Sequence, residues 1–125
     1  MLKGKRILLI ISGGVAAYKC LEVIRHLRGQ DALVRCIMTA SATKFVTPLS
    51  VSALSGDKVY IELFSLTDEN EMGHIKLSRD SDLIVVVPAT ANILARMAQG
   101  IADDLATTVL LATDKVVMVA PSMNV

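Results

Sequence analysis

Four short aliphatic runs limit this chain more than any other feature: RILLII (6–11), LVRCIM (33–38), DLIVVV (82–87) and KVVMVA (115–120). The first and third show no apolar–polar alternation, the pattern of strands in a sheet covered on both faces. After the first run the period changes. Across Val15–Arg28, Ala17, Cys20, Leu21, Ile24 and Leu27 fall on one helical face, with Lys19, Glu22 and His26 opposite. Residues 41–55 read as short helical pieces broken at Pro48, and KVYIE (58–62) as a short strand. ANILARMAQ (91–99) reads as a helix stopped by Gly100, and Asp103 is placed to cap a further helix running to about Thr113. Strands alternating with helices predict an α/β fold, a doubly wound Rossmann-like (flavodoxin-like) parallel sheet in three layers.

Composition narrows the class. With 125 residues, 53% of them hydrophobic and 20% charged, residues 1–125 make one domain with a sizeable core. The net charge of +1 and the lack of a basic block exclude nucleic acid as an expected partner. No apolar stretch reaches the ~18–20 residues that cross a bilayer, so no membrane role is expected. The start, MLKGKRILLIISGG, has the basic end and apolar run of a signal peptide, but the run is too short and leads into Gly-Gly. It reads as a buried first strand. Cys20 and Cys36 both fall in core elements, which predicts a reduced, cytoplasmic protein; no metal site is assigned. The chain ends at PSMNV directly after a strand, and so reads as a domain truncated at its C-terminus.

Strand, Gly13-Gly14, helix is a phosphate-holding arrangement, but the usual fingerprints fail. The dinucleotide pattern Gly-x-Gly-x-x-Gly breaks at Val15 and Tyr18. The second strand ends Met38-Thr39-Ala40-Ser41, with hydroxyls where that pattern has a carboxylate. Lys19 has no glycine before it, as a triphosphate loop requires. What remains is a helix start of small residues, Ser12 to Ala16, with Thr39 and Ser41 nearby as hydroxyl donors. That suits one phosphate, as in a mononucleotide; the plainer reading is a tight turn without ligand. PATAN (88–92) gives a second such loop, with Pro88 ending the strand and Thr90 or Asn92 either capping a helix or facing a ligand. His74 stands before a short helical stretch, and Asn124 offers an amide to a carboxylate or carbonyl.

In series, SGGVAAYK (12–19), MTASATKFVTPLSVSALSG (38–56), MGHIKLSRDSDLIVVVPATAN (72–92), GIADDLATT (100–108) and PSMN (121–124) resemble the homo-oligomeric flavin-containing cysteine decarboxylases. The resemblance covers nearly the whole chain and implies FMN as cofactor. By it, Gly13, Gly14 and Val15 match a first flavin-binding loop, Thr39 and Ser41 a second, Thr90, Ala91 and Asn92 a third, and Ser122 a last contact. His74 matches the active-site histidine and Asn124 the residue that holds the substrate carboxylate.

The implied reaction is decarboxylation of 4′-phosphopantothenoylcysteine to 4′-phosphopantetheine in coenzyme A biosynthesis. Direct loss of CO₂ would leave an unstabilised carbanion. Oxidising the thiol-bearing carbon to a thioaldehyde supplies an electron sink, CO₂ leaves to give an enethiolate, and the hydride is then returned. The resemblance also implies a homotrimer or homododecamer with the flavin between subunits, and a C-terminal synthase domain in the full-length protein. The family's flap cysteine has no counterpart within residues 1–125, which predicts at most the oxidative half-reaction for this stretch. Rival readings are a peptidyl-cysteine decarboxylase, a flavin prenyltransferase, against which His74 and Asn124 argue, and a non-catalytic FMN-binding regulatory subunit.

Overall fold

The computed structural model describes residues 2–63 and 73–122. Its centre is a five-stranded, all-parallel sheet of order β3-β2-β1-β4-β5. The strands are β1 (Arg6–Ile11), β2 (Leu33–Met38), β3 (Val59–Tyr60), β4 (Leu83–Ala89) and β5 (Val117–Pro121). The helices are α1 (Cys20–Gly29), entered through a 3₁₀ turn at Val15–Lys19, α2 (Pro48–Ser55), α3 (His74–Arg79), α4 (Ala91–Gln99) and α5 (Leu105–Ala112).

Alternation along β1 explains the three layers. Leu9 and Ile11 join α1 and α2 in one cluster with Ala17, Cys20, Ile24 and Val51. Leu8 and Ile10 point the other way, to Leu77 of α3, Ile93 of α4, and Leu105 and Val109 of α5. Both faces of the strand are therefore buried, which is why its sequence shows no polar alternation. On α1 the expected faces hold: Cys20 and Ile24 are buried, Leu21 and Leu27 half-buried, Glu22 and His26 exposed.

Two expectations need correction. Pro88 does not end β4, which continues through a buried, cis-linked Pro88 to Ala89. The ladder to β5 shifts register between Val86 and Ala89, and such an irregularity tolerates a residue without an N–H. The cap of α5 is Asp104, not Asp103. Asp104 accepts from the Thr107 amide at 2.8 Å while Thr107 Oγ1 accepts from the Asp104 amide at 3.2 Å, a reciprocal box that leaves Leu105, Ala106 and Val109 facing the core. The predicted stop at Gly100 holds: it is left-handed, with φ 69°, and closes α4.

Cys20 and Cys36 are buried and unbridged, and burial pushes their thiols up to about 11 and about 12. They are packing residues. No described helix is long and apolar enough to cross a membrane.

Candidate functional site at the carboxyl ends of the strands

In this order, β1 leads through α1 to β2 on one side, while β4 leads on to β5 on the other. The connections diverge between β1 and β4. A parallel sheet opens a crevice at that point, outside the carboxyl ends of its strands. Strand register decides which loops meet there. Ile11 is level with Met38, so the loop from Ser12 lies beside the loop from Thr39.

Gly13 makes this approach possible. A Cβ there would fall 2.3 Å from Ser41 Cβ and 2.7 Å from the Ser41 carbonyl carbon, so the first two loops touch only because Gly13 has no side chain. A Cβ on Gly14 would meet Thr90 Cγ2 at 3.2 Å, a tighter than ordinary contact with the third loop. Gly14 itself is extended, with φ −173°. The Gly-Gly pair thus serves loop convergence rather than an unusual backbone turn.

Ser12 fastens the convergence from below. Its side chain is 1% exposed; its hydroxyl donates to the Pro88 carbonyl and accepts from the Thr90 N–H at 3.3 Å. One buried hydroxyl therefore joins the ends of β1 and β4 and bonds a backbone group on each side of Ala89. The last loop is tied in as well, through the Ser122 N–H donating to the Ala89 carbonyl at 3.1 Å.

Two adjoining cavities result. One, of about 240 Å³, is lined by Gly13, Thr39, Ser41, Thr90 and Asn92, and also by Ser12, Arg96, Asp103 and Asp104. The other, of about 390 Å³, is lined by Gly13, Gly14, Val15, Thr90, Ala91, Asn92 and Ser122. All nine residues matched to flavin-binding loops line one or the other, and Gly13, Thr90 and Asn92 line both.

The donors fit an anion joined to a polar, flat group. The amides of Val15 and Ala16 open the 3₁₀ turn and make no hydrogen bond among the described residues. Thr39 Oγ1 accepts from the Ala42 amide at 3.1 Å, leaving its O–H to donate. Thr90 Oγ1 caps α4 by accepting from the Ile93 amide at 3.4 Å. Sequence reasoning left capping and ligand contact as alternatives for Thr90; the structure combines the cap with a place on both cavity walls.

His74 is different. It is the first residue of α3, half-buried, and lines neither cavity. Asn124 lies outside the described residues. Sequence reasoning missed the pinning role of Ser12 and the place of Arg96. No local pattern marks either, because their partners come from another loop or another turn. Among the described residues no three His, Cys, Asp or Glu side chains gather as a metal site would require.

A parallel sheet with small-residue loops meeting at its switch point defines a nucleotide-binding class of α/β protein. The chain belongs to the flavoprotein family, whose model matches residues 1–125. It is 50% identical over 123 residues to the coenzyme A biosynthesis bifunctional protein CoaBC of Vibrio vulnificus (strain YJ016), and 45% identical over 125 residues to that of Bacillus subtilis (strain 168). These matches cover 98% and 100% of this chain but 31% of each relative. The chain therefore spans about three-tenths of the length of these curated relatives.

Among solved structures, the FMN-dependent cysteine decarboxylase SpaF superposes with a TM-score of 0.88 at 33% identity, covering 99% of this chain and 71% of that one. A PPC decarboxylase C175S mutant complexed with pantothenoylaminoethenethiol superposes with a TM-score of 0.77 at 34% identity, covering 98% and 69%. Both superpositions take in nearly the whole of this chain, so the fold described above is shared with them.

Proposed function

We propose that this chain binds FMN and decarboxylates the cysteine carboxylate of 4′-phosphopantothenoylcysteine. The observation that carries the reading is the gathering of nine residues from four separate loops onto two adjoining cavities at the sheet's switch point. The names of its relatives support the substrate and the cofactor. Bound FMN would supply hydride acceptance from, and return to, the carbon bearing the thiol.

The chain's own residues have narrower tasks. The phosphate sits where the two cavities adjoin, with the amides of Val15 and Ala16 at the start of a helical turn on one side and the hydroxyls of Thr39 and Ser41 on the other. Gly14, Ala91 and Ser122 leave room for a flat ring, and Asn92 bonds its polar edge. His74 moves the thiol proton, and Asn124 orients the carboxylate.

His74 lines neither cavity among the described residues, and in this reading it serves the cavity of a second copy. The exposed apolar side chains beside the first two loops, Val15, Tyr18, Phe45 and Leu49, support a contact between copies there, in a homotrimer or homododecamer.

The test is anaerobic addition of phosphopantothenoylcysteine to the FMN-loaded protein, followed by flavin absorbance. Bleaching is expected, with its loss in His74→Asn. Mixed oligomers of His74→Asn and Gly13→Ala subunits, the latter unable to hold FMN themselves, should regain it if His74 serves a neighbouring copy. Bound flavin that stays yellow with this substrate, but bleaches with a peptide ending in cysteine, would replace the small-molecule substrate by a peptidyl one.

A further inference from the structure

Asn92 stands on the wall of both cavities, so the direction of its amide decides what chemistry it shows a ligand. That direction is set by a neighbour on the same helix, itself on the wall of the smaller cavity. Arg96, one turn further along α4, donates from Nε to Asn92 Oδ1 at 3.2 Å. A guanidinium has donors only, so the atom facing it must be the amide oxygen. Arg96 is itself held: its Nη1 reaches both carboxylate oxygens of Asp103, at 2.7 and 2.8 Å. The pairing holds the Asp103 carboxyl below its ordinary range, through the Arg96 hydrogen bond first and its charge second. The Asn92 Nδ2 makes no hydrogen bond among the described residues.

We propose that Arg96, anchored by Asp103, is a positioning residue that fixes Asn92 as a hydrogen-bond donor toward the cofactor cavities. This rests on the FMN reading above. The donor selects an acceptor on the ligand, either a carbonyl oxygen or an unprotonated ring nitrogen of the flavin. It disfavours a ligand presenting an N–H at the same place, because two donors would then meet. It also explains why Asp103 does not cap α5: its carboxylate is engaged by Arg96, and the adjacent Asp104 caps instead.

Two measurements on the full chain test this. FMN affinity is determined for wild type, Arg96→Met, Asn92→Ala and the double variant. Each single change is expected to weaken binding about tenfold, the scale of one hydrogen bond, and the double variant by about tenfold rather than a hundredfold. An Arg96 that only braces α4 would lower Tm and give a multiplied, hundredfold loss in the double variant. In the protein without FMN, NMR should show an Arg96 Nε–H protected from solvent exchange, and Asn92 side-chain amide resonances that move in Arg96→Met. Independent losses, Arg96→Met binding FMN as wild type does, or a freely exchanging Arg96 Nε–H would each overturn the proposal. A wild-type protein that takes up no FMN would sink the FMN reading instead, with the NMR result still reporting on the Arg96–Asn92 pair.

Discussion

The two ends of the sheet make an instructive pair. At the amino ends of the strands lies the larger cavity, about 420 Å³, lined by Arg6, Arg28, Arg35, Asp57 and Asp80 among others. At the carboxyl ends lie the two smaller cavities, of about 240 and 390 Å³. Size points to the first and chemistry to the second. Helices α1, α2 and α3 all end near the amino side, where their carbonyls and partial negative charge gather. The arginines there answer that charge within the protein. Arg6 pairs with Asp82 at 3.2 Å and Arg35 with Asp57 at 3.1 Å, while Arg28 donates to the Leu54 carbonyl at 3.0 Å. The carboxyl side instead keeps free donors on short loops. A cavity becomes a candidate site through unmet bonding capacity, not volume.

Glycine substitution at the two ends should separate them most sharply. Gly13→Ala forces a methyl group into Ser41 backbone and side chain and should cost about 3 kcal/mol, with loss of FMN binding. Gly29→Ala, at the far end of α1, meets nothing within 4 Å and should be neutral or stabilise by up to ~1 kcal/mol. Urea unfolding of both variants is the check, and equal effects would remove the contrast.

A smaller effect is expected from Ser12→Ala. It leaves the Pro88 carbonyl and the Thr90 amide without their partner, a loss of about 1–3 kcal/mol by urea unfolding. Because the released groups lie at the junction of the first and third loops, FMN affinity should fall with stability. A stable Ser12→Ala protein with unchanged affinity would show that the loops do not depend on this bridge.

The smallest effect belongs to the amino end. The Arg6 side chain and main chain hold the Asp82 carboxyl down at about 2. A carboxyl depressed in the folded state stabilises it above the unfolded value and loses that contribution as pH falls through the folded one. Wild-type stability should therefore decline between about pH 4 and pH 2 partly through this group, and Asp82→Asn should flatten that part of the profile. Both side chains are well exposed, so the change should be slight and should shrink with added salt. FMN binding at neutral pH should not move.

Much of the molecule was legible from local pattern. Both long early strands, the two-faced α1, the stop at Gly100 and the loops carrying the cavity residues follow from side-chain period and terminus chemistry within a few residues. Pro88 misled because a proline usually closes a strand, and only the register shift against β5 shows why this one does not. Asp103 misled because either of two adjacent aspartates can cap a helix. In the fold Asp104 takes the cap, while Arg96 on the preceding helix engages Asp103.

The sequence by itself determined the alternation of strand and helix, the buried character of the sheet, and which loops are small enough to admit a ligand. Tertiary structure alone decided that these loops meet. Ser12 and Pro88 are 76 residues apart in the chain, and Gly13 finds Ser41 only because Ile11 pairs with Met38. Period and capping are short-range properties of the backbone. Strand order and register are set by burying two faces of one sheet together, and no window of neighbouring residues contains that information.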